Sequence, residues 1–105
     1  MRFEQDEVVR LRRDLLRRGL SLATLLSDVL GGKRPPELAA LLAQRPGARP
    51  EEVLRLALDQ IEARRKLLDS GDDRFGRCDT CGVDLGAAAL GEMAWADRCQ
   101  THVAR

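Results

Sequence analysis

The stretch from Phe75 to Leu85, FGRCDTCGVDL, decides how the last third of this chain folds. It places Cys78 and Cys81 with two residues between them, in a turn-rich stretch that contains glycine and aspartate. After a gap of 17 residues the same spacing returns with Cys99 and His102. Two chelating pairs separated in this way are typical of zinc sites, because each pair sits on a tight turn and directs both side chains at one ion.

The predicted ligand set is three thiolates and one imidazole, from Cys78, Cys81, Cys99 and His102. These residues are every cysteine and the only histidine in the chain. Such a set is tetrahedral and closed to water, so we expect a structural Zn²⁺ rather than a catalytic one. Gly82 directly follows Cys81, where a turn of this kind favours the positive φ that glycine adopts easily.

Two other interpretations of the cysteines are weaker. A thioredoxin-like redox pair at Cys78 and Cys81 requires an adjacent βαβ pattern, which the sequence lacks, and it leaves Cys99 and His102 without a role. Small buried hydrophobic residues are the second alternative, but flanks rich in glycine and aspartate are a poor place for a core. His102 stands three residues from Arg105, where histidines are commonly solvated, and its spacing from Cys99 is what favours it as a ligand.

Upstream of this stretch the apolar residues follow the spacing of α-helices. Between Phe3 and Leu30 they fall three, four and seven residues apart, at Val8, Leu11, Leu15, Leu22, Leu25 and Val29. Arg18 interrupts this seam, and Gly19 and Ser21 follow it. We therefore expect two helices that meet near Gly19, with Ser21 as an N-cap, in preference to one long bent helix.

Turn signals divide the rest of the helical region. Gly31-Gly32 should end the first helical segment, and a short helix is predicted over residues 37–44 after Pro36. A longer helix is predicted from Pro50, with carboxylates in its first turn, until the pattern ends near Ser70. Its apolar stripe consists of Leu54, Ala57, Leu58, Ile61 and Leu68.

The predicted fold is mainly α-helical: a helical hairpin or small bundle over residues 1–70, followed by a Cys3His zinc-finger module over residues 71–105. A module of that size is too small to fold on apolar burial alone, so the metal should hold it together. We expect a small apolar cluster around the ion, formed by Phe75, Leu85, Leu90, Met93 and Trp95.

The composition and motifs argue against two classes of function, nucleic-acid binding by bulk charge and catalysis. Charged residues make up 33% of the chain, yet its net charge is only +1, so binding to nucleic acid by bulk charge is disfavoured. The basic run Arg10–Arg18 fits a phosphate- or polymerase-binding patch, but a solvated helix face is the commoner meaning, and direct DNA binding is not expected. No catalytic set is apparent, because the sole histidine is assigned to the metal and Gly31-Gly32 lacks the spacing of a phosphate-binding loop. We predict that the protein is not an enzyme.

The sequence also bears on location. The first ten residues, MRFEQDEVVR, lack the apolar region of a secretory signal, and the longest wholly apolar run, Leu38–Ala43, is too short to span a bilayer. Three cysteines would leave one thiol unpaired if disulfides formed, which favours a reducing compartment. We expect a cytoplasmic protein without a membrane segment.

The segment DDRFGRCDTCGVDL…ALGEMAWADRCQTH resembles the zinc finger of the DksA/TraR family of bacterial transcription regulators. The likeness covers about the last third of the chain and includes the 17-residue gap between the ligand pairs. The matching positions are Phe75-Gly76, Cys78, Cys81-Gly82, Leu90, Ala96 and Cys99. The resemblance implies a coiled-coil hairpin that leads straight into the finger, and a regulator that binds RNA polymerase.

Three positions differ from the family pattern. His102 stands where the family usually has its last cysteine, and Ala94 stands where a proline is common. Members that enter the secondary channel of the polymerase carry an aspartate-rich tip, whereas Glu37 is the only acid in residues 31–50. The expected function is therefore a DksA-like regulator bound to RNA polymerase through its helices, and the alternative is a zinc-stabilised adaptor that does not enter the channel.

Overall fold

The computed structural model describes residues 3–103 and contains four helices in that range. They are α1 (Gln5–Leu30), α2 (Leu38–Ala43), α3 (Pro50–Asp69) and α4 (Ala87–Glu92). In the same residues, β-type pairing is limited to one isolated antiparallel bridge between Arg77 and Asp84. The predicted mainly α-helical class is confirmed. No helix in the described range has both the length and the apolar character needed to cross a membrane.

Helix α1 is continuous, so the predicted break near Gly19 is wrong and Ser21 is not an N-cap. The physical reason is tertiary packing. A Cβ built on Gly19 would lie 3.6 Å from Cγ2 of Ile61, so the glycine marks a close approach to α3 within an unbroken helix. Arg18, which interrupts the seam, has a partner outside the hairpin and does not end the helix.

Helices α1 and α3 form an antiparallel hairpin. Arg12 forms an ion pair with Asp69, at 2.8 Å, while Gly19 faces Ile61, so positions early in α1 meet positions late in α3. Leu11, Leu15, Leu22 and Leu25 of the predicted α1 seam are buried against Leu54, Ile61 and Leu68 of the predicted α3 stripe. The apolar periodicity thus identified the packed faces of both helices, although Val8, Val29, Ala57 and Leu58 are only partly buried.

The helix ends follow the glycine and proline signals. Pro50 occupies the first turn of α3, as predicted. After α1, Gly32 has φ +86°, and the N–H of Lys33 donates to the carbonyl of Asp28 at 2.8 Å. That bond closes a Schellman motif, which satisfies carbonyls left over at the end of the helix. Gly71 with φ +69° ends α3 in the same way.

Between the long helices, α2 lies against α3 and closes the tip of the hairpin, with Leu38 and Leu41 buried. It starts and ends within one residue of the predicted helix 37–44. At the opposite end, the chain leaves α3 and enters the segment 71–103. The core is one cluster that continues from the hairpin into this segment through Phe75, Leu90 and Ala94.

Four members of the predicted apolar cluster contact that core. Phe75 and Leu90 are fully buried, and Leu85 and Trp95 are half-buried against them. Met93 is exposed instead, and its neighbour Ala94 is 2% exposed in its place. Met93 is the C-cap residue of α4, a helix that the sequence analysis did not predict. The division of the chain at residue 70 stays a prediction.

Candidate metal centre

The first ligand pair lies on a tight backbone turn between Gly76 and Leu85. The N–H of Cys78 donates to the carbonyl of Val83 at 2.9 Å, and the N–H of Gly82 donates to the carbonyl of Cys78 at 2.8 Å. Gly82 has φ +77°, as predicted from its place after Cys81. An L-residue rarely adopts that conformation, so glycine lets the chain fold back and bring both sulfurs to one side.

The second ligand pair lies on a short turn near the end of the described residues. The N–H groups of His102 and Val103 both donate to the carbonyl of Cys99, at 3.0 and 2.9 Å. A separate backbone hydrogen bond joins the first turn to the chain just before the second. In it, the N–H of Asp79 donates to the carbonyl of Asp97 at 2.8 Å. This bond fixes the first pair relative to the chain that carries the second.

All four predicted ligand residues converge. Their ligand atoms, the three Sγ atoms and a ring nitrogen of His102, lie within 4.8 Å of one another. The Sγ atoms of Cys81 and Cys99 are 3.7 Å apart, and Sγ of Cys78 is 3.6 Å from Nδ1 of His102. Tetrahedral zinc, with bonds of about 2.3 Å to sulfur and 2.0 Å to nitrogen, requires about 3.8 Å between two sulfur ligands and about 3.5 Å between a sulfur and a nitrogen ligand. The donor set and its spacing fit a single tetrahedral ion.

The distance between the sulfur of Cys99 and the ring nitrogen of His102 is shorter than tetrahedral geometry requires. Sγ of Cys99 lies 3.1 Å from Nδ1 of His102, which is hydrogen-bond distance for a thiolate and an imidazole. A bound ion would hold these two atoms slightly farther apart. Since the ligands are three sulfurs and one nitrogen with no carboxylate, the chemistry favours a thiophilic metal and excludes a calcium- or magnesium-type site.

The surroundings favour the metal-binding thiolate form at two of the four residues, Cys78 and Cys99. Burial disfavours the thiolate of Cys78, but nearby backbone N–H groups, including those of Cys99 and Cys81, prevail and lower the pKa of that thiol to about 5. Burial also opposes ionisation of Cys99, and its hydrogen bond with His102 outweighs this and lowers the pKa. The same contact raises the pKa of His102. Two of the three sulfurs therefore favour the charged form that binds metal.

The pKa of Cys81 shifts in the opposite direction from those of Cys78 and Cys99. The backbone N–H of Val83 favours its thiolate, but desolvation and the neighbouring thiol of Cys78 prevail and raise the pKa of Cys81. It is also the exposed member of the set, whereas Cys78 is 3% exposed. The centre thus has a protected side, held by Cys78 against the core, and an open side at Cys81.

An arginine of α3 forms an ion pair with the first ligand turn. Arg64 is 6% exposed, and its Nη2 donates to both carboxylate oxygens of Asp79, at 3.0 and 3.2 Å. Asp79 lies between Cys78 and Cys81, so this ion pair fixes the turn against the hairpin. Among the described residues, Nε and Nη1 of Arg64 are buried without a hydrogen-bond partner.

A second arginine, from α1, contacts the chain before the second ligand pair. The guanidinium carbon of Arg18 lies 4.7 Å from the centre of the Trp95 ring, which is cation–π geometry. Burial lowers the pKa of Arg18. Gln60 of α3 reaches the same residue, since its Nε2 donates to the carbonyl of Trp95 at 3.1 Å. Both long helices therefore hold the segment that leads to Cys99.

The base of the hairpin also packs on the ligand turn through aromatic rings. The rings of Phe3 and Phe75 meet edge to face, with centroids 5.8 Å apart. Phe75 is 0% exposed and stands three residues before Cys78. The metal centre is consequently anchored by apolar contact as well as by polar bonds.

The sequence analysis singled out the four side chains that converge, but missed Arg64, Asp79 and the contact between Arg18 and Trp95. The position of each arginine within the apolar pattern of its helix could have indicated its role. Arg64 lies three residues after Ile61 and four before Leu68, and Arg18 lies three after Leu15 and four before Leu22. Each arginine therefore occupies a position on its helix where the apolar pattern predicts a buried residue. A charge at such a position indicates a specific partner, since unpaired buried charges are costly.

The basic run Arg10–Arg18 does not form one surface. Arg18 turns toward Trp95, and Arg12 pairs with Asp69 on α3. Arg10, Arg13 and Arg17, spaced three and four residues apart, are exposed together on another face of α1. Two of the five arginines therefore make contacts within the protein, and the other three lie on an exposed face, in line with the preferred interpretation as a solvated helix face.

Comparisons with known proteins leave the chain without an assigned relative. No protein-family model, no curated protein and no solved structure matches it.

Proposed function

We propose that this protein is a zinc-stabilised transcription regulator of the DksA/TraR type, which binds RNA polymerase through its helical hairpin and catalyses no reaction itself. The observation that carries the proposal is the order of parts: α3 runs directly from the hairpin into a Cys3His centre. That order is the one that the resemblance in residues 72–102 implies. The proposed setting is the bacterial cytoplasm.

The ion in the proposed centre is Zn²⁺. Cys78, Cys81, Cys99 and His102 supply soft sulfur and imidazole ligands with tetrahedral spacing, which zinc accepts without redox chemistry. With four protein ligands the ion has no position left for water, which supports a structural role. Elemental analysis of reduced, freshly purified protein should find about one zinc per chain; a metal-free or iron-containing preparation would contradict this assignment.

The proposed binding element is the tip of the hairpin, residues 31–49. Its basic residues are exposed, namely Lys33, Arg34, Arg45 and Arg49, and α2 holds the two connecting segments that carry them against α3. A projecting basic tip is suited to an acidic surface on a partner. The interaction would differ in charge from the aspartate-rich tip of channel-entering family members.

The experiment is a binding assay between the purified protein and RNA polymerase core, with a known channel-entering factor as competitor. We expect saturable binding in the micromolar range or tighter, weaker binding for the paired change Lys33→Glu and Arg34→Glu in the tip, and a partial loss of binding for Cys78→Ser, which unfolds the base of the hairpin and leaves the tip in place. The control is Arg10→Glu with Arg17→Glu, which reverses two exposed charges on α1 outside the tip. Absence of binding by metal-loaded protein at micromolar concentration would refute the proposal.

The basic tip also favours a second candidate, a zinc-stabilised adaptor that binds a partner other than the polymerase channel. Glu37 is the only acid in residues 31–50, so the tip lacks the chemistry on which channel entry relies in the family. The two candidates differ in the competition assay. Binding to polymerase that a channel-entering factor does not displace would favour the adaptor, and displacement would favour the regulator.

A further inference from the structure

A cavity of about 430 Å³ lies between the end of α3 and the first ligand turn, and residues of both line it. That volume is within the range of small-molecule sites. Three of its lining residues are arginines and only one is acidic; the lining consists of Arg64, Leu67, Arg74, Arg77, Cys78, Asp79 and Gly82. The function proposed above makes no use of this cavity.

The arginines of the cavity differ in how far their charges are already neutralised. Arg74 forms a two-bond pair with Asp72, at 3.1 and 2.8 Å. Arg77 donates only to neutral backbone carbonyls, those of Asp73 at 3.2 Å and Gly82 at 3.3 Å. Among the described residues no carboxylate pairs with Arg77, so its positive charge is not neutralised by a side chain of this segment.

Arg64 supplies an independent indication. It is more than nine-tenths buried, and Nε and Nη1 have no hydrogen-bond partner among the described residues. A buried guanidinium that uses only Nη2, toward Asp79, leaves donors unsatisfied, and such donors carry a free-energy cost unless a further acceptor is present. The natural acceptor for several guanidinium groups around one cavity is an oxyanion with more than two oxygens.

The charge of the cavity is concentrated on Arg77. Arg64 pairs with Asp79 and Arg74 pairs with Asp72, so these four side chains cancel in charge. A zinc ion with three thiolates and a neutral imidazole adds one negative charge beside Cys78. The cavity and the centre together are then close to neutral, and an anion is favoured by the unpaired guanidinium donors of Arg64 and by Arg77, which has no carboxylate partner among the described residues.

We propose that this cavity, termed the arginine cavity, binds a phosphate-type oxyanion, either free or as the terminal group of a small metabolite, through Arg64, Arg74 and Arg77. The anion accepts hydrogen bonds from the unpaired N–H groups of Arg64 and neutralises the charge of Arg77. Because Arg64 and Asp79 also hold the ligand turn, an occupied cavity stabilises the packing of that turn on α3. This inference does not depend on whether the protein binds RNA polymerase.

The test is a titration of the metal-loaded, full-length protein at constant ionic strength, with inorganic phosphate in one arm and glycerol 3-phosphate in the other. Binding is followed through the side-chain Nε–H signals of arginine in NMR spectra, and zinc content is measured before and after. We expect saturable shifts confined to the arginine cavity. Tighter binding of glycerol 3-phosphate identifies a metabolite phosphate and equal binding identifies the free ion; both support the proposal.

Variants make the test decisive. Arg77→Gln should weaken phosphate binding about tenfold or more, as expected for loss of a charged hydrogen-bond donor. Arg74→Gln alters a side chain that is 77% exposed, so it should leave the fold intact and still weaken binding severalfold. Arg55→Gln, on the outer face of α3, is the matched control and should change binding by less than about twofold. No saturable shift with either anion, or equal binding by Arg77→Gln and the unaltered protein, overturns the proposal.

Discussion

The hairpin of α1 and α3 and the metal-site segment, residues 71–103, are stabilised by different means. The hairpin buries long leucine stripes, with Leu15, Leu22 and Leu54 at most 1% exposed. The metal-site segment has one helix of six residues and, apart from the ligand Cys78, contributes only Phe75, Leu90 and Ala94 to the buried apolar core. Apolar burial therefore dominates in the hairpin, whereas in the segment we expect a metal bound by the four converging side chains to supply much of the stability.

The largest expected effect is metal removal. Chelation of the reduced protein should remove binding free energy on the order of 10 kcal/mol from the metal-site segment and unfold it, because the segment has so little core of its own. The helical circular dichroism signal of the hairpin should persist in large part. Metal content and thermal unfolding measure the change.

The matched variants for metal removal are Cys78→Ser, which deletes the buried ligand, and Thr80→Ala, which alters an exposed residue within the same turn. Only the first should lose the metal. A melting curve that chelation leaves unchanged would mean that the segment folds by packing, and the contrast between the two regions would fail.

The next effect concerns the hairpin. Leu15→Ala should lower the free energy of unfolding by about 2–5 kcal/mol, since Leu15 is 1% exposed and its truncation leaves a cavity between the helices. Metal content should not change. Denaturation by urea in the presence of zinc measures the loss.

The adjacent residue provides the control. Leu16 is 54% exposed, so Leu16→Ala should change the free energy of unfolding by no more than about 0.5 kcal/mol. Equal losses at Leu15 and Leu16 would show that α1 is covered on both faces, in conflict with the hairpin described above.

A smaller effect is expected where the two regions meet. Arg64→Ala should cost about 1–3 kcal/mol, because it removes a hydrogen-bonded, nearly buried guanidinium, while Asp79 on the other side is partly solvated and limits the loss. A double-mutant cycle with Asp79→Asn isolates the contribution of the pair. Zinc affinity measured on the same variants reports whether the pair also supports the ligand turn.

Arg55→Ala is the control on the same helix. Arg55 and Glu51 are each about half exposed, so this ion pair should contribute less than about 1 kcal/mol. A cost at Arg55 as large as that at Arg64 would remove the distinction between a surface pair and one that joins the two regions.

The smallest effect tests the continuity of α1. Gly19→Ala should stabilise the protein by about 0.5–1 kcal/mol, since alanine is the better helix former and its Cβ meets Ile61 at an ordinary contact distance of 3.6 Å. Thermal unfolding with bound zinc measures the change.

Gly32→Ala gives the opposite expectation. Gly32 has φ +86° with open space around it, so the substitution should destabilise by about 1 kcal/mol through backbone strain alone. If both substitutions destabilise, Gly19 has a role beyond close packing, and the helix would be less regular there than the structure indicates.

Local patterns predicted much of this molecule. The apolar period identified the packed faces of the two long helices, and Pro50, Gly31 and Gly32 placed their ends, because capping depends on residues close in sequence. The spacing of Cys78, Cys81, Cys99 and His102 predicted the centre, since few other arrangements explain two chelating pairs. Short-range chemistry fixes these features.

The misses involve partners distant along the chain. Gly19 and Arg18 suggested a break because their partners, Ile61 and Trp95, cannot be identified from the residues around them. Helix α4 was missed because six residues carry too little periodicity to distinguish a helix from a loop. In each case tertiary packing decided the outcome against the local preference.

The contacts described between the helices and the metal-site segment involve α1 up to Arg18 and α3 from Gln60 onward. Between these residues and the tip of the hairpin, α1 and α3 pack on each other and α2 packs on α3. Seven residues added to each helix there would move the tip outward by about 10 Å and keep every contact around the four ligands. The reach of the projecting arm and the architecture of its metal-bearing base can thus change independently during evolution or redesign.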